Sequence, residues 1–307
     1  MIARWLRFCL AVEIAAAILV GALMAGAAGL RLAVAAALAL AGVIGLNLVT
    51  VAVKYAISRV RAYRAPKELA VSLPRIIAAA LGEACAFFFV FAVIQPFARC
   101  WMGSDAVGRL APGRTVVLLV HGYVCNRGLW WLMRRRLRAR GIAGATIDLE
   151  PPFGGIDGFA KQLHARVEAL VSETGADRIV LVGHSMGGLV ARAYLRRHGP
   201  ARVARLITLA TPHHGTQLAY LGAGRNSREM EPDSAWLRAL ASGEQLAVPT
   251  LSIWSARDEL VVPQDSARLA GAREAVMPAL GHLSMVVSPA AFAVIAAELS
   301  GSSVAEH

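Results

Sequence analysis

Apolar and polar positions divide this chain into two unlike parts. Phe8 to Leu30 is an apolar run with Glu13 as its only charge. Leu32 to Val53 is a second, interrupted by Asn47, and Ile76 to Ala98 is a third, carrying Glu83. Each reaches the roughly 20 residues a helix needs to cross a bilayer's hydrocarbon core. After Pro112 the pattern changes to short apolar runs alternating with amphipathic stretches. Thr115 to Val120 is an unbroken, β-branched run of the kind buried on both faces of a sheet. Further strands are predicted at 145–149, 178–182, 203–209, 250–254 and 275–277. Helices are predicted at 129–140, stopped by Gly141, at 158–174 with Asp157 as N-cap, at 186–198 before Gly199 and Pro200, and at 289–299. Strands alternating with helices imply a mostly parallel sheet of about six strands, covered on both faces. The expected division is a membrane region over 1–99 with two to three transmembrane helices, a linker over 100–111, and a globular α/β domain over 112–307.

Composition adds the surroundings. The chain is 57% hydrophobic, an excess confined to the part before Pro112. Its net charge of +12 is shared, with eleven Lys/Arg against four Asp/Glu before Pro112. Arg far outnumbers Lys without interleaved aromatics, which argues against nucleic acid and for a bilayer with anionic headgroups as the partner. Cys9, Cys85, Cys100 and Cys125 form neither a metal pattern nor a CxxC; Cys100 and Cys125 could pair only in an oxidising compartment.

Arg4 and Arg7 precede the first run, and Lys54, Arg59, Arg61, Arg64, Lys67 and Arg75 fill the gap before the third. Positive loops stay cytoplasmic. Three crossings then carry the globular domain to the far side of a bacterial inner membrane, the periplasm. With only two crossings it remains cytoplasmic. The small residues Gly21, Ala25 and Gly29 suit close helix packing, and Glu13 and Glu83 either mark a polar pathway or serve helix packing.

The segment VGHSMGG, residues 182–188, is a G-x-S-x-G lodged between a predicted strand and a predicted helix. A sharp turn there lifts a serine hydroxyl above the sheet, and Gly183 and Gly187 allow the close approach. Ser185 is thus the candidate nucleophile, and it needs a base. His282 follows the last strand. His121 and His184 flank the two functional turns and are read as orienting neighbours; His213 and His214 lie near the active face but precede any candidate acid. Asp258 follows a strand and precedes His282, with Glu259 as the neighbouring alternative and Asp233 and Asp265 as remoter ones. Oxyanion stabilisation is expected from the backbone N–H of Met186 and of Tyr123, next to His121 and Gly122.

These residues resemble the α/β-hydrolase superfamily, and within it bacterial triacylglycerol lipases and esterases. The resemblance rests on VHGY (120–123), VGHSMGGLVARAYL (182–195), LATPHHGT (209–216), NSREMEPDSAWLRAL (226–240), WSARDELVVP (254–263) and LGHLSM (280–285). It implies Ser185, Asp258 and His282 as a triad, no metal or organic cofactor, and a lipid or other ester as substrate. Gln217 to Leu246 is where a lid would lie, with Leu218, Tyr220, Leu221, Met230 and Trp236 forming either an apolar rim or ordinary core packing. The expected activity is carboxylic ester hydrolysis at a membrane. The alternatives are acyl transfer by the same triad and a non-enzymatic membrane scaffold.

Overall fold

The computed structural model describes residues 1–28, 31–60, 66, 69–105, 107–111, 115–242 and 246–301. Six strands form one parallel sheet: β1 (Val116–Val120), β2 (Ala143–Ile147), β3 (Ile179–His184), β4 (Val203–Leu209), β5 (Thr250–Trp254) and β6 (Arg273–Val276), in the order β2-β1-β3-β4-β5-β6. All five neighbouring pairs are parallel, so each link must cross over a face of the sheet. The alternating side chains of β1 feed two cores. Val116, Leu118 and Val120 pack with α6 (Ile156–Thr174) and α7 (Met186–His198). Val117 and Leu119 pack with α5 (Trp131–Ala139), α10 (Ser284–Val287) and α11 (Pro289–Leu299). The expected N-cap of α6 is corrected: Gly155 holds that position. Asp157 lies in the first turn and accepts the indole N–H of Trp236 at 3.1 Å.

Three helical stretches are long and apolar enough to cross a membrane: Ile2–Ala27, Leu32–Ser58 and Leu73–Met102. The first two, in α1 (Ile2–Ala28) and α2 (Leu32–Val60), expose Ile18, Leu19, Leu23, Leu40 and Leu46, as helices surrounded by lipid do. They pack on one another at Gly21, where a Cβ would stand 3.4 Å from Ala35 O. Of the small-residue stripe, Gly29 lies outside the described residues.

The third stretch behaves differently. It comprises α3 (Leu73–Phe88), a π-helical turn (Phe89–Ile94), a 3₁₀ turn at Pro96 and α4 (Ala98–Met102). Ala86, Val90, Ala98 and Met102 join the same core as Leu129, Trp130 and Leu283. The N-terminal end of α1 also meets the domain. The Met1 ammonium lies 2.6 Å from Glu150 Oε1, and Arg7 donates to Pro96 O at 2.8 Å. The third stretch is thus packed against the domain over part of its length.

Candidate active site

The candidate residues Ser185, Asp258 and His282 lie in loops at the C-terminal edge of the sheet. β3 ends at His184 and α7 begins at Met186, so Ser185 alone makes the turn, at φ 55° and ψ −127°. An L-residue pays strain for a positive φ, and such strain concentrates at functional turns. The turn is held because Ser185 N donates to Leu209 O at 2.8 Å and Gly188 N to Ser185 O at 3.1 Å. The flanking glycines are required by contact: a Cβ on Gly183 would stand 2.6 Å from Gly188 N, and one on Gly187 would collide with Val120 O.

His282 and Asp258 come from loops 24 residues apart and meet in the interior, 3% and 2% exposed. His282 Nδ1 lies 2.9 Å from Asp258 Oδ2 and 3.0 Å from Oδ1. Asp258 Oδ1 also accepts the N–H groups of Leu260 (2.8 Å) and Val261 (2.9 Å). A carboxylate held by these donors fixes the imidazole with its proton on Nδ1, which leaves Nε2 as the free base. Ser185 and His282 line one cavity of about 380 Å³.

The neighbouring histidines are tied into hydrogen bonds of their own. His184 Nε2 donates to His282 O at 3.2 Å, and the two rings lie 4.6 Å apart. Burial, reinforced by His282, holds His184 well below the usual imidazole range, so it is neutral. His121 donates from Nδ1 to Gly122 O (2.9 Å) and accepts the Leu149 N–H on Nε2 (3.0 Å), again neutral through burial. His213 is buried and takes an N–H from Arg192 at 3.2 Å; His214 is exposed. Neither lines the cavity.

Gly122 and Tyr123 line the cavity beside Ser185, whereas the Met186 side chain is buried beneath it, with Sδ accepting from Asn226 at 3.4 Å. The Tyr123 hydroxyl both donates to Ala223 O and accepts from Ala223 N, each at 2.8 Å. That pair ties the turn after β1 to the rim segment. Of the expected rim, Leu218, Leu221 and Met230 line the cavity, Trp236 packs on the core, and Tyr220 points outward, 56% exposed.

Sequence reasoning missed one wall altogether. Lys54 and Ile57 of α2, Phe87 of α3 and Phe91 of the π turn also line the cavity. Glu259, the alternative acid, does not hold the imidazole: its carboxylate accepts the His282 backbone N–H at 3.1 Å. Burial, Glu83 and Asp258 push Glu259 well above the usual carboxylate range. The only signals of this wall were two charges, Lys54 and Glu83, set in or beside apolar runs. All four cysteines are free, and the described residues contain no group of three or more His, Cys, Asp or Glu able to hold a metal ion. A more open depression of about 570 Å³ near Trp101, Trp131 and Arg135 has no histidine or carboxylate among its lining residues.

The profile of the family described as alpha/beta hydrolase fold matches residues 115–232. The domain has the α/β-hydrolase fold, preceded by long apolar helices. Within that class the chain resembles triacylglycerol lipases. A triacylglycerol lipase of Burkholderia plantarii is 32% identical over 122 residues, 37% of this chain and 34% of that one. Another from Pseudarthrobacter phenanthrenivorans is 32% identical over 117 residues, 36% of each. The chain thus matches about a third of the length of these relatives. Among solved structures, a mature lipase of Bacillus licheniformis superposes with a TM-score of 0.57 at 20% identity, covering 64% of this chain and 96% of that one. Aspergillus fumigatus lipase B gives 0.57 at 19% identity, covering 64% and 56%.

Proposed function

We propose that this protein is a membrane-anchored serine hydrolase that cleaves carboxylic esters, specifically lipid esters drawn from the bilayer. The observation that carries the reading is the positive-φ Ser185 on the same cavity as His282, whose Nδ1 is 2.9 Å from Asp258. Ser185 Oγ attacks the ester carbonyl while His282 Nε2 takes its proton. Asp258 keeps the imidazole in the right tautomer and stabilises the imidazolium. The carbonyl oxygen gains negative charge, which the N–H groups of Tyr123 and Met186 stabilise, each worth roughly 3 kcal/mol. The imidazolium protonates the departing alcohol. Water, deprotonated by His282, then releases the acid from the acyl-enzyme.

The lipid part of the reading is supported by the walls. Ile57, Phe87 and Phe91 put apolar surface from the helical anchor directly against the cavity. Such walls suit an acyl chain and offer little to a polar ester. The relatives described as triacylglycerol lipases agree with an ester of this kind. A domain on the side of the N-terminus is supported by Arg7 of α1, which donates to Pro96 O at the domain end of the third stretch. That side carries Arg4, Arg7 and Arg75, so α1 and α2 form the two-crossing hairpin and the domain faces the cytoplasm.

A panel of p-nitrophenyl esters of increasing chain length, run on the wild type and Ser185→Ala, tests the chemistry. Activity rising with chain length and abolished in the variant is expected. Full activity in Ser185→Ala would end the proposal. A reporter fused after His307 tests the orientation: cytoplasmic fluorescence is expected, and an active alkaline phosphatase fusion would overturn it.

A further inference from the structure

Two polar side chains interrupt the third apolar stretch, and both are turned into the domain. Glu83 is 1% exposed and Gln95 fully buried. Burying a carboxylate is expensive unless donors replace its water. For Glu83 the donors are two backbone groups some 200 residues away: Leu283 N to Oε1 and Ser284 N to Oε2, each at 2.8 Å. These are the first two residues after His282. Gln95 makes a parallel connection to the other functional loop, accepting from Asn126 N (2.6 Å) and, through its carbonyl, from Asn126 Nδ2 (2.9 Å).

The surroundings are those of a tight polar seat. A Cβ on Gly281 would stand 2.8 Å from Tyr55 Oη and would also strike the Glu83 carboxylate. Only glycine lets the loop approach this closely. Lys54 lies within electrostatic reach of both Glu83 and Glu259. Of the two acids, Glu83 accepts two backbone N–H groups and Glu259 one from another residue, the His282 N–H. Hydrogen bonds to a carboxylate replace the water that burial removes, and burial, with Glu83 and Asp258 beside it, pushes Glu259 towards its neutral form.

We propose that Glu83 is a positioning residue for the catalytic base. Its carboxylate pins the backbone directly after His282, so the imidazole faces Ser185 only when the third apolar stretch is docked on the domain. The anchor is then part of the reaction centre and not a tether alone. This rests on the serine-hydrolase reading above.

The test uses the full chain in detergent micelles, with wild type, Glu83→Gln and Glu83→Asp. The readouts are fluorophosphonate labelling rate, kcat and KM for a short soluble ester, and melting temperature. In Glu83→Gln an amide N–H replaces one acceptor and faces a backbone N–H, which displaces the loop. Since displacement of about 1 Å can cost 100-fold, labelling and kcat are expected to fall roughly 10- to 100-fold with KM within about twofold. Glu83→Asp keeps both acceptor oxygens on a shorter arm and should lose less rate, again in kcat and not in KM. A merely structural carboxylate would lower the melting temperature and leave labelling and kcat of the folded protein within about twofold of wild type in both variants, which overturns the proposal. If Glu83→Gln does not fold, Glu83→Asp decides: wild-type labelling in that milder variant overturns it, a partial loss of labelling and kcat at unchanged KM supports it. An unlabelled wild type would remove the serine-hydrolase reading and this inference together.

Discussion

Gly122→Ala probes how tightly the turn after β1 is fitted to the nucleophile. A Cβ at position 122 would stand 2.9 Å from Ser185 Cβ, 3.1 Å from His184 O and 3.4 Å from Ser185 Oγ. Carbon atoms in contact prefer about 3.5–4.0 Å, so the overlap with Ser185 is about 0.6 Å or more. The turn cannot simply retreat. His121 Nδ1 holds Gly122 O at 2.9 Å, and the Tyr123 hydroxyl is fixed to Ala223 by two 2.8 Å hydrogen bonds. Nor can Ser185 move freely, since its N–H is bonded to Leu209 O. The overlap is therefore shared between the nucleophile and the proposed oxyanion turn. A shift of about half an ångström predicts a kcat loss of roughly 10-fold, scaling from about 100-fold per ångström. The stability cost should be that of modest overpacking, about 1–3 kcal/mol. The assay is kcat on p-nitrophenyl butyrate beside a thermal melt in the same detergent. A variant that melts within 2–3 °C of wild type, the shift expected of about 1 kcal/mol in a domain of this size, and retains kcat within twofold would refute this geometry.

Further outcomes follow from the same site. Asp258→Asn should lower kcat by about 10⁴-fold through the wrong imidazole tautomer, measured at saturating soluble ester; a loss below tenfold would point to another acid. The buried His121, His184 and His213 all have folded-state pKa values held down, by burial first. The unfolded chain then binds more protons below pH 6.5, so stability should fall as pH drops from 7 to 5, by up to about 1.4 kcal/mol per pH unit per histidine; a flat melting temperature over that range contradicts their neutrality. Glu259 has the opposite sign: its raised value makes the folded state lose stability as pH rises from the ordinary carboxylate range towards its own. Glu259→Gln should therefore raise the melting temperature more at pH 8 than at pH 5, and an equal shift at both would argue against a buried neutral acid. Product analysis with added alcohols separates hydrolysis from acyl transfer, with free acid expected as the main product.

Much of the domain was legible because local pattern and global fold agree. β-branched runs such as Val116–Val120 are buried on both faces, and α7 begins and ends where Ser185 and Gly199 say it should. Ser185, Asp258 and His282 could be ordered along the chain because strand ends present their loops at one edge of a parallel sheet. The cap of α6 was misread because Asp is a good N-cap in isolation, whereas here Gly155 takes the position and Asp157 pairs with Trp236 from the rim segment. The third apolar stretch was harder still. Its hydropathy is that of a membrane span, and composition cannot distinguish a lipid neighbour from Leu129, Trp130 and Leu283. Glu83 was visible as an anomaly, but its partners lie 200 residues away, beyond the reach of any local period. Phe91, with no charge to mark it, was hidden for the same reason.

The central claim is that Ser185 is a nucleophile activated by His282. Its most direct measurement is mass-spectrometric mapping of the adduct formed when the detergent-solubilised full chain reacts with a fluorophosphonate. One phosphonylated residue, Ser185, is expected, with no adduct in Ser185→Ala or after prior acylation by a slow ester. A folded wild type that takes no label, or takes it at another residue while Ser185→Ala still hydrolyses esters, would contradict it.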